Sequence, residues 1–280
     1  METASRHTDD LSLNTSIVRK LLVDFVRDET HNAGFEKAVV GLSGGVDSSV
    51  AAFVATEALG VQHVLGVMMP YRTSNPQSQR DAELVAAQLG IKTELVDISP
   101  MVDPILKQSR IDNRVRAGNI MARQRMIILY DRSSRDKALV VGTSNKTETF
   151  LGYGTLFGDT ACAINPLGDL YKMQVWQLAE SLGLPKSIID KPPSADLWEG
   201  QTDEGEFGFS YKRVDHLLYY MVDERRSESE LQVMGFEEAF IRTVKGMIRT
   251  NQFKRRMPLV AKVSNRTMNV DFRYPRDWGI

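Results

Sequence analysis

With 280 residues, 42% of them hydrophobic and 25% charged, the chain has material for a sizeable core and a mixed surface, in one large domain or two small ones. A net charge of −1 gives no overall field for nucleic acid, and a single cysteine, Cys162, excludes an intramolecular disulfide and any cysteine-rich zinc site. The N-terminal METASRHTDD lacks the apolar core of a signal peptide, no apolar run approaches membrane-spanning length, and the four histidines show no metal-ligand spacing; a cytoplasmic location with no membrane partner is expected.

Ile17, Val18, Leu21, Leu22, Phe25 and Val26 follow a helical period. Ala38, Val39 and Val40 read as a buried strand, followed by a helix over 50–59 and a strand over 63–69. Residues 80–89 are helical with Gly90 as a stop, and 91–96 form a third strand. Ser99-Pro100 starts a helix with a cap residue and then proline at the first position. A long helix over 113–132 precedes a fourth strand at 138–141, and helices over 172–182, 210–222 and 237–248 dominate the rest. Strands alternating with helices predict an α/β fold with a mainly parallel, doubly wound sheet and a helical C-terminal extension, all within one domain over 1–280. Residues 1–15 are expected to be flexible. Residues 70–79 and 191–209 break the rhythm and are expected to be loops, the second long enough to be a mobile lid or a disordered linker.

The most informative stretch is Gly41-Leu42-Ser43-Gly44-Gly45-Val46-Asp47-Ser48-Ser49, between the first strand and the following helix. Paired glycines let the backbone turn sharply and aim its N–H groups at an anion, and the helix behind adds unpaired N–H groups and the positive end of its dipole. Asp47 brings a carboxylate to where a phosphate-bound Mg2+ would sit. A Walker loop would place lysine after the second glycine, and none is present. A second segment, Gly142-Thr143-Ser144-Asn145-Lys146-Thr147-Glu148, leaves the fourth strand at the same sheet edge, so Asp47 and Glu148 are expected to face one crevice and share the ion. By itself Glu148 reads more readily as a solvated first-turn residue favourable to the helix dipole.

The pattern Ser-Gly-Gly-x-Asp-Ser resembles the pyrophosphate loop of N-type ATP pyrophosphatases, which implies a fold like the adenine nucleotide alpha hydrolases. Further segments follow in order: Asn119 to Met126, Gly158-Asp159, Pro166 to Lys172, Lys191 to Leu197, Gln201 to Glu204, and Lys254-Arg255-Arg256. Together they resemble the ammonia-dependent NAD+ synthetase family from about residue 16 to 257. The resemblance implies that the nicotinate carboxylate of deamido-NAD attacks the α phosphate of ATP, releasing pyrophosphate, and that ammonia then displaces AMP. It assigns Gly41, Leu42, Ser43, Gly44, Gly45, Val46, Asp47 and Ser48 to the ATP phosphates, Asp47 and Glu148 to Mg2+, and Thr143, Lys172 and Ser194 to ATP. Arg123 and Lys254 fall to deamido-NAD, Lys172 is the catalytic phosphate partner, and Asp159 orients or deprotonates the ammonia species.

Plainer readings stand beside these. Arg123 and Arg125, with Arg114 and Arg116, form a basic helix face of the kind that is often simply solvated, Asp159 fits a turn, and Ser194 fits a cap. Lys172 opens a helix, where a cation opposes the dipole, which favours a phosphate role. The chain departs from the family at Phe253, where a histidine is usual, and at Leu156 and Ala163, where many bacterial members carry lysine and aspartate. No amidase segment with a catalytic cysteine is evident, so ammonia is the implied nitrogen source, and the family implies a homodimer. A tRNA-modifying thiolase or lysidine synthase is the alternative sharing the first loop; near-neutral charge and one cysteine argue against it.

Overall fold

In the computed structural model, which describes residues 10–198, 200–256 and 258–267, the apolar run before the glycine turn forms β1 (Lys37–Gly41), flanked on both sides by parallel neighbours. The chain continues through α2 (Val46–Leu59), β2 (Val64–Met68), α3 (Pro76–Leu89) and β3 (Lys92–Leu95), each new strand adding on one side. It then passes through α4 (Ser99–Gln108) and α5 (Arg114–Asp136) and returns as β4 (Ala138–Val141) on the other side of β1. The order β3-β2-β1-β4 is wholly parallel, with Val39 opposite both Leu65 and Val140.

Alternation along the strands sorts side chains between two cores. Ala38, Val40, Val64 and Met68 face one core, which includes Val23 and Val26 of α1 (Thr15–Asn32), Val50 and Val54 of α2, and Val175 and Leu178 of α7 (Lys172–Ser181). Val39, Val67 and Val140 face the other, with Ile98, Val102 of α4, and Met121 and Ile128 of α5. Helices thus cover both faces, which explains why β1 and β4 are apolar almost throughout. Strand order reverses between β1 and β4, and the loops that follow them open into one crevice at the carboxyl edge.

After α7 come α8 (Lys186–Ile189), α9 (Asp203–Phe207), α10 (Tyr211–Leu218) running into a π-helical turn (Tyr219–Asp223), α11 (Glu228–Val233) and α12 (Glu238–Thr250). These build a third apolar cluster around Val214, Leu217, Leu218, Leu231, Ile241 and Val244, which also takes in Leu151 and Tyr171. The extension therefore packs directly on segments leading into and out of the crevice.

Several boundaries differ from the sequence expectation. Residues 70–79 are loop only to Asn75, whose side chain accepts from Gln77 N (2.9 Å) and caps α3, with Pro76 at the first helical position. The 191–209 segment contains α9, capped by Thr202. Flexibility was expected of residues 1–15. Residues 1–9 lie outside the described residues, whereas Leu11 is fully buried, and the Gln177 side chain accepts from Leu13 N (2.9 Å) and donates to the Leu11 carbonyl (3.0 Å). Among the described residues no helix is long and apolar enough to cross a membrane.

Leu178 is completely buried where α7 meets the sheet. Leu178→Ala is expected to lower the unfolding free energy by about 2–5 kcal/mol, read as a lower urea midpoint at constant slope. An unchanged midpoint would contradict this packing.

Candidate active site

The loop after β1 is locked by its own hydroxyls. Ser43 Oγ and Ser48 Oγ lie 2.9 Å apart, Ser48 Oγ donates to the Gly45 carbonyl (3.0 Å), Ser49 Oγ donates to the same carbonyl (2.8 Å), and Ser43 Oγ accepts from Gly45 N (3.3 Å). Gly45 caps α2 without a side chain, leaving the first helical N–H groups for an anion. Gly44 has φ +75°, and a Cβ there would sit 2.0 Å from the Ser78 carbonyl oxygen. Its absence lets α3 approach the loop.

Asp47 occupies the first turn of α2. One carboxylate oxygen accepts from Asn145 Nδ2 (2.9 Å) and the other pairs closely with the Lys172 ammonium. Asn145 is fully buried and caps α6 (Lys146–Leu151): its Oδ1 accepts from Glu148 N (2.9 Å), and Glu148 Oε2 accepts from Asn145 N (3.4 Å). Glu148 Oε1 lies 3.8 Å from Lys172 Nζ. Asp47 and Glu148, expected to face one crevice, are brought together with Lys172, with Asn145 as an additional link. The Asn-x-x-Glu capping pattern was its visible signal.

Lys172 is 2% exposed, and its ammonium lies 5.3 Å from the Tyr211 ring centroid and 6.0 Å from that of Trp176. Asp203, also buried, accepts from Tyr153 OH (2.9 Å) and Tyr211 OH (2.8 Å). Burial alone would lower the lysine pKa; Asp47 and then Glu148 overcome it and hold the ammonium above its ordinary value. Burial, and then the Asp47 charge, push Glu148 up to about 8. Asp47 and Glu148 thus flank a single ammonium, with the Asp203 charge also acting on it.

Thr143 lies where the chain leaves β4, and Ser194 is exposed, its Oγ accepting from Asp196 N (3.0 Å) in a local turn. The segment carrying Ser194 is tied to α3 and its cap, beside the glycine turn: Lys191 Nζ donates to Asp81 Oδ2 (2.9 Å) and Ser78 Oγ (3.1 Å), and Asn75 N donates to the Asp196 carboxylate (3.1 Å). The two stretches expected to be loops therefore touch.

Arg123, Asp159 and Lys254 gather around the turn over 152–159. Arg123 Nε donates to the Leu156 carbonyl (3.3 Å), Lys254 Nζ donates to the carbonyls of Gly152 (2.7 Å) and Gly154 (2.8 Å), and Asp159 Oδ1 accepts from Thr155 N (2.6 Å). Asp159 reaches the surface at one side of the turn, yet enclosure by its neighbours raises its carboxyl, against the Thr155 amide, Arg125 and Lys254. Leu156 belongs to the same turn, and the side chain of Phe253 is exposed.

Gly44→Ala is expected to weaken ATP binding at least roughly tenfold, about 1.4 kcal/mol, because loop or helix must move. Gly60, with φ +89° and open space around it, is the control. Gly60→Ala should cost about 1–2 kcal/mol of stability and leave binding intact. Calorimetric titration with ATP and thermal unfolding of both variants test this; unweakened binding by Gly44→Ala would refute it.

A glycine turn, two carboxylates and a buried lysine thus meet at the strand-order reversal. A protein-family model described as NAD synthase matches residues 18–258. The NH(3)-dependent NAD(+) synthetase of Trichlorobacter lovleyi is 54% identical over 269 residues, covering 96% of this chain and 98% of the relative. Among solved structures, the NMN synthetase of Francisella tularensis superposes with a TM-score of 0.81 at 32% identity, over 89% of this chain and 99% of its own. The NH3-dependent NAD synthetase of Campylobacter jejuni gives 0.77 at 33%, over 89% and 100%. The chain belongs to the NAD synthase family.

Proposed function

We propose that this protein is a ligase that amidates deamido-NAD with ammonia at the expense of ATP, through an NAD-adenylate, releasing AMP and pyrophosphate. The observation that carries the reading is the Asp47–Lys172–Glu148 cluster at the mouth of the phosphate loop, in a chain about half identical to NH(3)-dependent NAD(+) synthetases over nearly its whole length.

A carboxylate acylates nothing until its oxygen carries a leaving group, so the first step transfers the adenylyl group of ATP to the nicotinate carboxylate. The barrier lies in charge building on pyrophosphate. Gly41, Leu42, Ser43, Gly44, Gly45, Val46 and Ser48 supply the turn, hydroxyls and N–H groups that hold the departing phosphates. Lys172, released from Asp47 toward them, supplies a full positive charge. Thr143 and Ser194 border the nucleotide from the other two segments. Asp159 accepts a proton from ammonium or orients ammonia for attack on the adenylate, and Arg123 and Lys254 face the anionic dinucleotide.

The residues fit Mg2+. Asp47 and Glu148 are hard oxygen donors at one site, where a cation would take the place of the proton that burial and the Asp47 charge favour on Glu148. Among the described residues no group of three or more His, Cys, Asp or Glu side chains is arranged around an ion. Two carboxylates completed by phosphate oxygens and water are, however, the usual Mg2+ arrangement. The ion would neutralise the leaving pyrophosphate. The contact of segment 191–198 with α3 and its cap, beside the phosphate loop, suits a cover that closes and keeps water from the adenylate.

A cytoplasmic homodimer completes the reading. Leu95 on the edge strand, Met101 and Ile105 on α4, and Val115, Ile127 and Tyr130 on α5 are large apolar side chains left exposed, which supports a partner subunit on that side. Sedimentation equilibrium is expected to return a dimer at micromolar concentration; a monomer would remove this part.

The reaction is tested with ATP, Mg2+, ammonium and deamido-NAD, measuring NAD+ and AMP together. Equal yields that require deamido-NAD are expected, with nicotinate mononucleotide a poorer acceptor. Glu148→Gln and Lys172→Ala should each lower turnover by about a hundredfold or more. AMP formed without NAD+ would overturn the acceptor and move the reading to a tRNA substrate.

A further inference from the structure

The helical extension contributes a buried carboxylate that the chemistry above does not use. Asp215, midway along α10, is fully buried. Its Oδ1 accepts from Thr147 Oγ1 (2.6 Å) and its Oδ2 accepts from Met173 N (2.8 Å). The same Thr147 hydroxyl accepts from Lys172 N (3.0 Å). Proton directions are fixed by chemistry: the carboxylate can only accept, the amide can only donate, and the hydroxyl does one of each. Burial pushes Asp215 up to about 6 against these two hydrogen bonds, so the carboxylate form prevails at neutral pH and can accept both.

The residues held this way flank the proposed chemistry on both sides. Thr147 immediately precedes Glu148, and Lys172 and Met173 supply the first N–H groups of α7, which have no partner within their own helix. A second carboxylate from the same run, Asp223 in the π-helical turn, pairs with Lys146 Nζ (3.0 Å) and accepts from the Tyr171 hydroxyl. Residues 146 and 147 on one side, and 171 and 173 on the other, are therefore fastened to one helical run, by Asp215 and Asp223. Lys172 and Glu148 lie 24 positions apart and meet only if α6 and α7 start side by side.

We propose that Asp215 and Thr147 are positioning residues: they form a clasp that sets the Lys172 ammonium and the Glu148 carboxylate at the spacing the ATP-cleaving step requires. The clasp touches neither ATP nor the acceptor. It rests on the roles given to Lys172 and Glu148 in the proposed function, and the experiment separates the two.

Thr147→Val keeps the shape and removes both hydrogen bonds of the hydroxyl; Thr147→Ser keeps both; Asp215→Asn weakens the other end. AMP formation is measured at saturating deamido-NAD and ammonium over a range of ATP, well below the unfolding midpoint of each variant. Thr147→Val and Asp215→Asn are expected to lower kcat by roughly tenfold to a hundredfold, with the KM for ATP changed by less than about threefold. Thr147→Ser should recover most of the rate. The double variant should be no slower than the slower single, as for residues acting as one unit. A kcat within about threefold of the parent in folded Thr147→Val and Asp215→Asn would overturn the clasp. So would a loss confined to KM, or one that Thr147→Ser does not recover. Lys172→Ala is the separate arm: undiminished turnover there would refute the role of the lysine itself, whatever the clasp variants do.

Discussion

The arrangement depends on one buried charge. The Lys172 ammonium is almost out of reach of water, and removing such a charge from solvent carries a penalty that only close opposite charge and good geometry offset. Asp47 must approach from the first turn of α2, Glu148 from the first turn of α6, and the Tyr211 ring from α10. No single element satisfies the lysine. The helix-covered sheet and the helical extension are locked together by it, since Asp47 stands on α2, packed on the sheet, and Tyr211 on α10 of the extension. Losing either carboxylate would leave a buried lysine with less compensation, which is why this cluster constrains the chain more than any comparable apolar contact.

The same economy separates this phosphate site from a Walker loop. There the lysine sits in the loop and travels with the backbone that binds phosphate. Here the loop carries an aspartate, and the lysine arrives from 125 residues downstream. Without a ligand, Asp47 and the lysine satisfy each other. Burial and the Asp47 charge push Glu148 up to about 8, so at neutral pH it holds a proton rather than adding a further negative charge to the cluster. In the proposed reaction a divalent cation would take the place of that proton and free the ammonium for a phosphate. Pairing in the resting state and release on loading are two sides of the same charge balance.

Much of this was legible in the sequence because it is local. A strand, a glycine turn and a helix start announce themselves within a dozen residues, and Ser99-Pro100 marked its helix for the same reason. Pro76 carried an equally local signal, and the helix there begins four residues earlier than the apolar period indicates because polar residues fill its first turn. Asn145, Asp203, Tyr211 and Asp215 were not legible as a group. Each becomes functional through a partner far away in sequence, and a carboxylate within a helix such as Asp215 looks solvated until its burial is known. Residue type and spacing reveal what a segment can do; which distant group it meets is decided by packing.

The two halves of the site are held by different forces. On the ATP side ammonium faces carboxylate, and those charges cancel. Around the 152–159 turn, Arg123 and Lys254 rest on backbone carbonyls, which orient a cation without neutralising it. Lys254 also pays for partial burial, which lowers its pKa, with Asp159 as the opposing charge. An anionic substrate offers these cations charge-assisted hydrogen bonds stronger than those made to neutral carbonyls. In the proposed reaction the dinucleotide side is therefore held ready but uncompensated, while the ATP side must first exchange one ion pair for another. The turn is held by backbone carbonyl contacts from Arg123 and Lys254 that depend on neither the Leu156 nor the Phe253 side chain.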